Sequence, residues 1–248
     1  SDIDIYLQRY TLFDNPFLPK NYVEQLCTEL KGTVYYNRYI LGQACNAEGI
    51  IFKPIAENES KYITKEVIDG MIMIGIDWGG NKSCHSITAT KIARDYSKIQ
   101  VLASEKMNAT GTDTEVLFLW INKFIQKIED LYGHPQGIFC DSAEQVLNNS
   151  LRSELKFNIP VINSIKTPIR DRIESIIRLL NSSRLTFVEG TTKTCVEALK
   201  GALYDEKTKD ERWIDDGETS DIDSLDSFVY SWEKWMAAIM RKKVMYEQ

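Results

Sequence analysis

Three aspartates in this sequence stand where their carboxylates could form one chemical site. Asp77 ends the apolar run at residues 71–77, Asp141 follows the apolar run GIFC, and Asp226 lies in a late helical pattern. A charge at the end of a buried strand is costly unless a positive group lies opposite it. Carboxylate oxygens are the ligands that hard divalent cations require, and two such cations can hydrolyse a phosphodiester. The sequence therefore predicts a cation site, with turn capping by Asp77 as the alternative.

The elements that position these acids follow from the hydrophobic pattern. Alternating strands at 71–77, 84–93 and 98–107 are separated by gaps short enough for an antiparallel meander. The elements predicted after them are a helix at 113–131, a strand at 137–140, a helix at 142–156, a strand at 159–164, a helix at 168–181, a strand at 185–190, a helix at 192–203 and a long helix from about 221. This order predicts an α/β, ribonuclease H-like fold, with helices flanking a mixed sheet that combines the antiparallel meander with parallel strands.

Two of these helices have apolar stripes that indicate which face is buried. The helix at 113–131, capped by Thr112 or Asp113, has a stripe of Val116, Leu117, Trp120, Ile121, Phe124 and Ile128. The last helix has a stripe of Leu225, Val229, Trp232, Met236 and Ile239.

Residues 1–60 are predicted to be an N-terminal extension to the central domain. They contain a helical pattern after NPFLP and then the polar stretch AENESKYITKE, which is typical of a linker. The central domain would comprise residues 61–248.

Composition excludes several classes of protein. The chain has 248 residues, of which 43% are hydrophobic, enough for one substantial core. It has no apolar run of the roughly 20 residues that span a bilayer and no signal-peptide pattern, so we expect a protein of the cytoplasm with no membrane partner. The five cysteines form no CxxC pair, which predicts reduced thiols and disfavours structural zinc.

The net charge of −6 hides an asymmetry along the chain. Residues 156–184 contain six basic side chains against two acidic ones, whereas residues 204–226 contain ten acids against three bases. The basic stretch could contact phosphates, with Lys166, Arg170 and Arg172 as the candidates. The acidic stretch could contribute to a cation site. Solvated helix and loop surfaces are the alternative for both stretches.

The glycines of IGIDWGGNKS also suit two phosphate-binding motifs, neither of which the sequence completes. Gly75 and Gly80 have the spacing of a Walker A loop, but Asn81 separates Gly80 from Lys82. Actin-like nucleotide-binding proteins also place an aspartate and two glycines after a strand. They need a second glycine-rich aspartate motif, which GIFCDSAEQ lacks.

Three motifs together resemble the nuclease domain of the large terminase subunit, the DNA-packaging motor of tailed bacteriophages. In that family the first acid ends an IGID strand, the second begins a D-S-A-E turn, and the third lies in a C-terminal helix of the form H-x-x-D-A-x-R-Y. The matches are IGIDWGG with Asp77, GIFCDSAEQVLNNSLR with Asp141, and DIDSLDSFVYSW with Asp226. NPFLPKNYVEQL and VYYNRYILGQACNAEGIIF resemble the segment that joins the ATPase region to the nuclease.

The resemblance implies a metal-dependent endonuclease that cuts double-stranded viral DNA with little sequence specificity during genome packaging. It implies two divalent ions, Mg²⁺ or Mn²⁺, with Asp77, Asp141 and Asp226 as catalytic metal ligands. Glu144, one helical turn after Asp141, and Asp223, three residues before Asp226 and on the same helix face, are further candidate ligands. It also implies, in the longer protein, an N-terminal ATPase domain, contacts with the portal and the small terminase subunit, and the cytoplasm of an infected bacterial host.

The sequence departs from this family at the last motif. The family's histidine is Asp223 here, and the alanine and arginine that follow the last acid are Ser227 and Val229. Asp221 or Asp223 could instead cap the helix, and Glu144 could be a solvated residue at a helix start. A resolvase, transposase or integrase of the same fold remains an alternative, as does a non-catalytic actin-like nucleotide-binding module. No ATPase motif is present, so we expect the chain to be the C-terminal portion of a larger protein.

Overall fold

A computed structural model describes residues 8–43, 48–80, 83–207, 211–215 and 220–242. The strands within this part are β1 (Ile63–Thr64), β2 (Met71–Asp77), β3 (Cys84–Ile92), β4 (Ile99–Asn108), β5 (Gly137–Cys140), β6 (Val161–Asn163) and β7 (Leu185–Val188). The helices are α1 (Lys20–Leu30), α2 (Lys53–Glu57), α3 (Thr114–Tyr132), α4 (Gln145–Glu154), α5 (Ile169–Asn181), α6 (Lys193–Gly201), α7 (Ile222–Tyr230) and α8 (Met236–Arg241).

One mixed sheet joins the described strands in the order β1-β7-β4-β3-β2-β5-β6. The predicted meander is confirmed, since β2 pairs antiparallel with β3 and β3 pairs antiparallel with β4. The later strands pair in parallel, β5 on β2, β6 on β5 and β7 on β4. The predicted α/β, ribonuclease H-like fold is therefore confirmed.

Strand β2 is an interior strand of the sheet, between β3 and β5, and helices cover both of its faces. Ile74 and Ile76 lie in one hydrophobic cluster with residues of α3, whereas Met73 lies in a second cluster with residues of α5, α6 and α7. Helix α3 starts as predicted, because the Asp113 carboxylate accepts the amide of Glu115 at 3.2 Å. Val116 is an exception to the predicted stripe of α3. It is 52% exposed because the buried face of the helix begins at Leu117.

The prediction of one long C-terminal helix is wrong. Helix α7 ends at Tyr230, and a 3₁₀ turn at Glu233–Trp235 separates it from α8. Trp232 has a φ of −140°, which lies outside the helical range. The break lets two polar side chains reach buried partners: the Ser231 hydroxyl donates to Thr90 Oγ1 at 2.6 Å, and the Glu233 carboxylate accepts backbone amides. Apolar periodicity does not reveal such polar contacts.

The polar stretch predicted as a linker is structured. It forms the end of α2, a 3₁₀ turn and strand β1, which pairs in parallel with β7. Tyr62 is buried, and its carbonyl accepts the amide of Phe187 at 2.9 Å. The preceding residues Leu30, Tyr35 and Ile40 belong to the same hydrophobic cluster as α5 and α6. The domain boundary at residue 60 stays a prediction.

Two expectations from composition can be compared with the structure. Within the described ranges, no helix combines the length and apolar character needed to cross a bilayer. Cys27, Cys84, Cys140 and Cys195 are free thiols. Cys45 lies outside the described residues.

Candidate carboxylate site

Two of the predicted acids lie at neighbouring strand ends. Strands β2 and β5 are parallel, and Ile76 pairs with Cys140 in their register. Asp77 and Asp141 each come directly after one of these paired residues. The Asp141 amide donates to the carbonyl of Ile76 at 3.1 Å. The sheet therefore brings both aspartates to one edge, as the sequence predicts.

Helix α7 brings the third acid to the same place because it packs very closely against the sheet. A Cβ atom added to Gly75 would overlap the Ser227 carbonyl oxygen and lie 2.7 Å from the Ser231 amide nitrogen. Hydroxyl groups fill the rest of this contact, with Ser227 Oγ lying 3.0 Å from Ser86 Oγ and 2.9 Å from Thr88 Oγ1. Gly75 thus has a packing role. Asn81 and Lys82, the other residues weighed for a phosphate loop, lie outside the described residues.

The three aspartates share one electrostatic environment. Asp77 is only 7% exposed, and burial raises its pKa well above the usual value, with Asp226, Asp223 and Asp141 raising it further. Burial also raises the pKa of Asp226 to about 6, although the Arg172 guanidinium opposes this shift. Carboxylates this close repel one another unless cations neutralise them.

Two basic side chains of the chain supply positive charge. The Lys166 ammonium contacts Asp141 Oδ1. Arg172 Nη1 donates to Asp226 Oδ1 at 2.7 Å, and Tyr230 Oη donates to the other carboxylate oxygen at 3.4 Å. The Arg172 side chain is only 4% exposed. Lys166 and Arg172 are therefore internal counter-ions of the carboxylate cluster.

These contacts do not fit the continuous phosphate-binding track that the charge pattern suggested. Arg172 is buried against Asp226, which is at odds with the predicted phosphate contact, and Arg178 donates to Glu29 at 2.7 Å. Arg184 donates to backbone carbonyls inside the protein. Arg170 is half-exposed and contacts the Tyr39 hydroxyl. Phosphate contact remains a prediction for Arg170 and for Lys166.

The structure separates the roles weighed for the acids of α7. Asp221 is the N-cap, since its carboxylate accepts the amide of Ser224 at 3.2 Å. Asp223 instead accepts the amide of Cys84 at 2.7 Å, at the start of β3. Burial raises the pKa of Asp223, and its charge in turn raises the pKa of Asp77. Asp223 thus lies beside the carboxylate cluster.

Glu144 lies apart from these contacts. It is exposed at the N-cap position of α4, where its side chain makes no capping hydrogen bond. This placement fits a solvated residue at a helix start, and its role as a metal ligand stays a prediction.

Sequence reasoning missed two buried residues that support the site. Asn148 donates to the Asp141 carbonyl at 2.8 Å and accepts the indole N–H of Trp78, also at 2.8 Å. The side chain of Glu233 is fully buried and accepts the backbone amides of residues 165–167. Asn148 follows Asp141 by seven residues, which is two helical turns, a weak signal for a common face. Glu233 gave no signal because a glutamate in a helical pattern indicates a solvated position.

The donor atoms fit a hard divalent cation, because the cluster offers carboxylate oxygens only. Among the described residues, however, no three His, Cys, Asp or Glu side chains are already grouped so as to hold a metal ion. Two of the acids are in contact with Lys166 and Arg172 instead. A bound cation would have to change these contacts.

The predicted resemblance to large terminase nuclease domains is confirmed at the level of the fold, because solved large terminase structures share this fold over most of the chain. The large terminase of a thermophilic bacteriophage, solved with ATP-γ-S, is 20% identical over 90% of this chain and 55% of that chain, with a TM-score of 0.72. The P22 large terminase nuclease domain is 12% identical over 79% of this chain and 99% of its own, with a TM-score of 0.53. The nuclease domain of the SPP1 large terminase with bound Mn is 15% identical over 69% of this chain and 94% of its own, with a TM-score of 0.50.

This likeness is one of fold, since all three identities are low. The chain spans about half the length of the large terminase from the thermophilic phage. Neither the protein-family models nor the curated protein sequences gave a match.

Proposed function

We propose that this chain is a metal-dependent endonuclease domain that cuts double-stranded DNA with little sequence specificity during viral genome packaging. The observation that supports the proposal is the convergence of Asp77, Asp141 and Asp226, from two strand ends and one helix, in a single electrostatic environment. The fold shared with large terminase nuclease domains supports the same function. A purely structural cluster would gain nothing from three repelling acids.

Two divalent ions, Mg²⁺ or Mn²⁺, supply in such a site the activation of water and the stabilisation of negative charge on phosphate. Asp77, Asp141 and Asp226 would hold these ions. Arg172 and Tyr230 orient the Asp226 carboxylate, while Asn148 fixes the backbone at Asp141.

The surrounding assembly follows from the same proposal. The large terminase of the thermophilic phage was solved with ATP-γ-S, and this chain matches about half of it. We infer that an ATPase domain precedes this chain in the full protein. We also infer that the full protein binds the portal and the small terminase subunit in the cytoplasm of an infected bacterium.

Plasmid DNA tests the activity directly. The protein should degrade supercoiled plasmid with Mn²⁺ present, and EDTA should prevent the reaction. Fragments without a preferred end sequence are expected. An absence of Mn²⁺-dependent cleavage would refute the proposal, and selective cutting of a four-way junction would favour a resolvase.

Arg170 is predicted to contact DNA phosphate from the surface. Arg170→Ala should weaken DNA binding to every sequence and reduce the slope of log affinity against log salt by about one unit. Arg94→Ala is a matched control, because this exposed arginine follows β3 at the sheet end opposite Asp77. Binding titrations at several salt concentrations measure the slope. Equal slopes for the two variants would make Arg170 a solvated surface residue.

Asp223 is predicted to strengthen cation binding from beside the cluster. Asp223→Asn removes one charge but keeps an acceptor for the Cys84 amide, so it should raise the Mn²⁺ midpoint without abolishing cleavage at saturating Mn²⁺. Asp223→Ala should also lower the free energy of unfolding by about 1–3 kcal/mol, because the amide loses its partner. Mn²⁺ titration of activity, with melting curves, measures both effects. A parent-like midpoint in the Asn variant would remove Asp223 from the site.

A further inference from the structure

Glu233 is a buried carboxylate that accepts hydrogen bonds from one short loop. Its Oε1 atom accepts the amides of Ile165 and Lys166 at 2.8 and 3.0 Å. Its Oε2 atom accepts the amide and the hydroxyl of Thr167 at 3.1 and 3.0 Å. Four donors on three consecutive residues thus converge on one charge. This arrangement fixes the backbone of residues 165–167.

The loop is held in an unfavourable backbone conformation at Lys166. Its φ is +57°, in the left-handed region that costs a residue with a side chain roughly 1–2 kcal/mol. Such a conformation persists only where the surroundings over-determine it. The hydrogen bonds to Glu233 hold the loop in this conformation. In it, the Lys166 ammonium contacts Asp141.

Glu233 also lies near the second internal counter-ion. Its Oε2 atom is 3.7 Å from Arg172 Nη2, and Arg172 Nε donates to the Thr167 carbonyl at 2.7 Å. The same loop therefore contacts the residue that holds Asp226.

We propose that Glu233 is a positioning residue that places Lys166 as an internal counter-ion on Asp141, and that a divalent cation must displace Lys166 in order to bind. This inference rests on the proposed function, because it takes Asp141 as a metal ligand. Lys166 then competes with the cation for the same carboxylate oxygen. The contact thereby raises the cation concentration at which the site is half occupied.

Mn²⁺ binding, measured by electron paramagnetic resonance of the free ion, tests this competition without relying on cleavage. Lys166→Met should bind Mn²⁺ about 1.5- to 5-fold more tightly than the parent, the range expected for loss of a partly exposed ion pair. Lys166→Arg keeps the charge and should bind as the parent does. In Glu233→Gln an amide NH₂ group replaces one carboxylate oxygen, so two of the four loop donors lose their acceptor. This variant should therefore show the same gain in Mn²⁺ affinity as Lys166→Met.

The double variant Lys166→Met, Glu233→Gln separates positioning from a merely structural role. Its Mn²⁺ affinity should equal that of Lys166→Met, since Glu233 acts through Lys166; gains that multiply would overturn the positioning role. Melting curves check folding. If Glu233→Gln does not fold, Thr167→Ala, which removes one of the four donors, should give a smaller gain by the same route, and no gain would overturn it.

The outcomes also separate this inference from the proposed function. A parent that binds Mn²⁺ and cleaves DNA, together with Lys166→Met of unchanged or weaker Mn²⁺ affinity, overturns the inference and leaves the nuclease proposal intact. A parent that neither binds Mn²⁺ nor cleaves DNA refutes both.

Discussion

Asp141→Asn should slow plasmid cleavage by about 100-fold or more while the protein stays folded. The substitution removes the charge of a proposed ligand of the cation. That cation would stabilise the negative charge that develops on the phosphate. Asp77→Asn and Asp226→Asn should have effects of the same order. Cleavage rates at saturating Mn²⁺ measure the loss. Glu154→Gln is the matched control, because this exposed carboxylate lies at the far end of α4 and should retain nearly full activity.

Stability without metal gives an independent check on Asp77. Because burial and the neighbouring acids raise its pKa, ionisation of Asp77 opposes folding from about pH 4 upward. Asp77→Asn should therefore raise the melting temperature of the metal-free protein. The gain should grow with pH up to the pKa of Asp77 and then stay constant. Full cleavage by Asp141→Asn, or a lower melting temperature of Asp77→Asn at neutral pH, would contradict the site assignment.

Gly75→Ala should both destabilise the protein and nearly abolish cleavage. The added methyl group would overlap the Ser227 carbonyl of α7, and backbone on both sides cannot move aside as a flexible side chain would. We expect a loss on the order of 3 kcal/mol in the free energy of unfolding. Any relaxation would shift α7, and Asp226 with it, away from Asp77. Denaturant unfolding and cleavage assays measure the two effects.

Gly201→Ala is the control for this substitution. A Cβ atom at Gly201 would have no neighbouring atom within 4 Å. The stability and activity of the Gly201→Ala variant should therefore match those of the parent. If Gly75→Ala folds as stably as the parent and cuts DNA, the close contact of β2 with α7 does not position the site.

The sheet was predictable because its signals are local. The alternation of β3 and β4 and the continuous apolar run of β2 give the strand types, and the short gaps give the meander. Asp77 and Asp141 could be placed together since adjacent parallel strands end at one edge. Each step needs only the period of a strand and the rule for neighbouring strands.

The remaining features depend on contacts between segments distant in sequence. The break after α7 exists because Glu233 reaches the loop at 165–167, across more than sixty residues. Arg172 has the sequence context of a surface arginine, yet its partner Asp226 lies 54 residues away. A helix pattern with basic residues is the same whether its outer face is solvated or buried. Neither the internal counter-ions nor the break could therefore be read from periodicity.

The contact between Gly75 and α7 also determines which changes of chain length the protein should tolerate. Helix α7 takes its register from β2 and β3, through the Ser227 backbone and the hydroxyls of Ser86 and Thr88. The segment before α7 is also packed, since Trp213 is only 1% exposed and the Ile214 amide donates to the Leu203 carbonyl at 2.9 Å. A change of chain length at these packed residues should therefore destabilise the fold. A one-residue insertion inside α7, before Asp226, would rotate Asp226 by about 100° away from its partners.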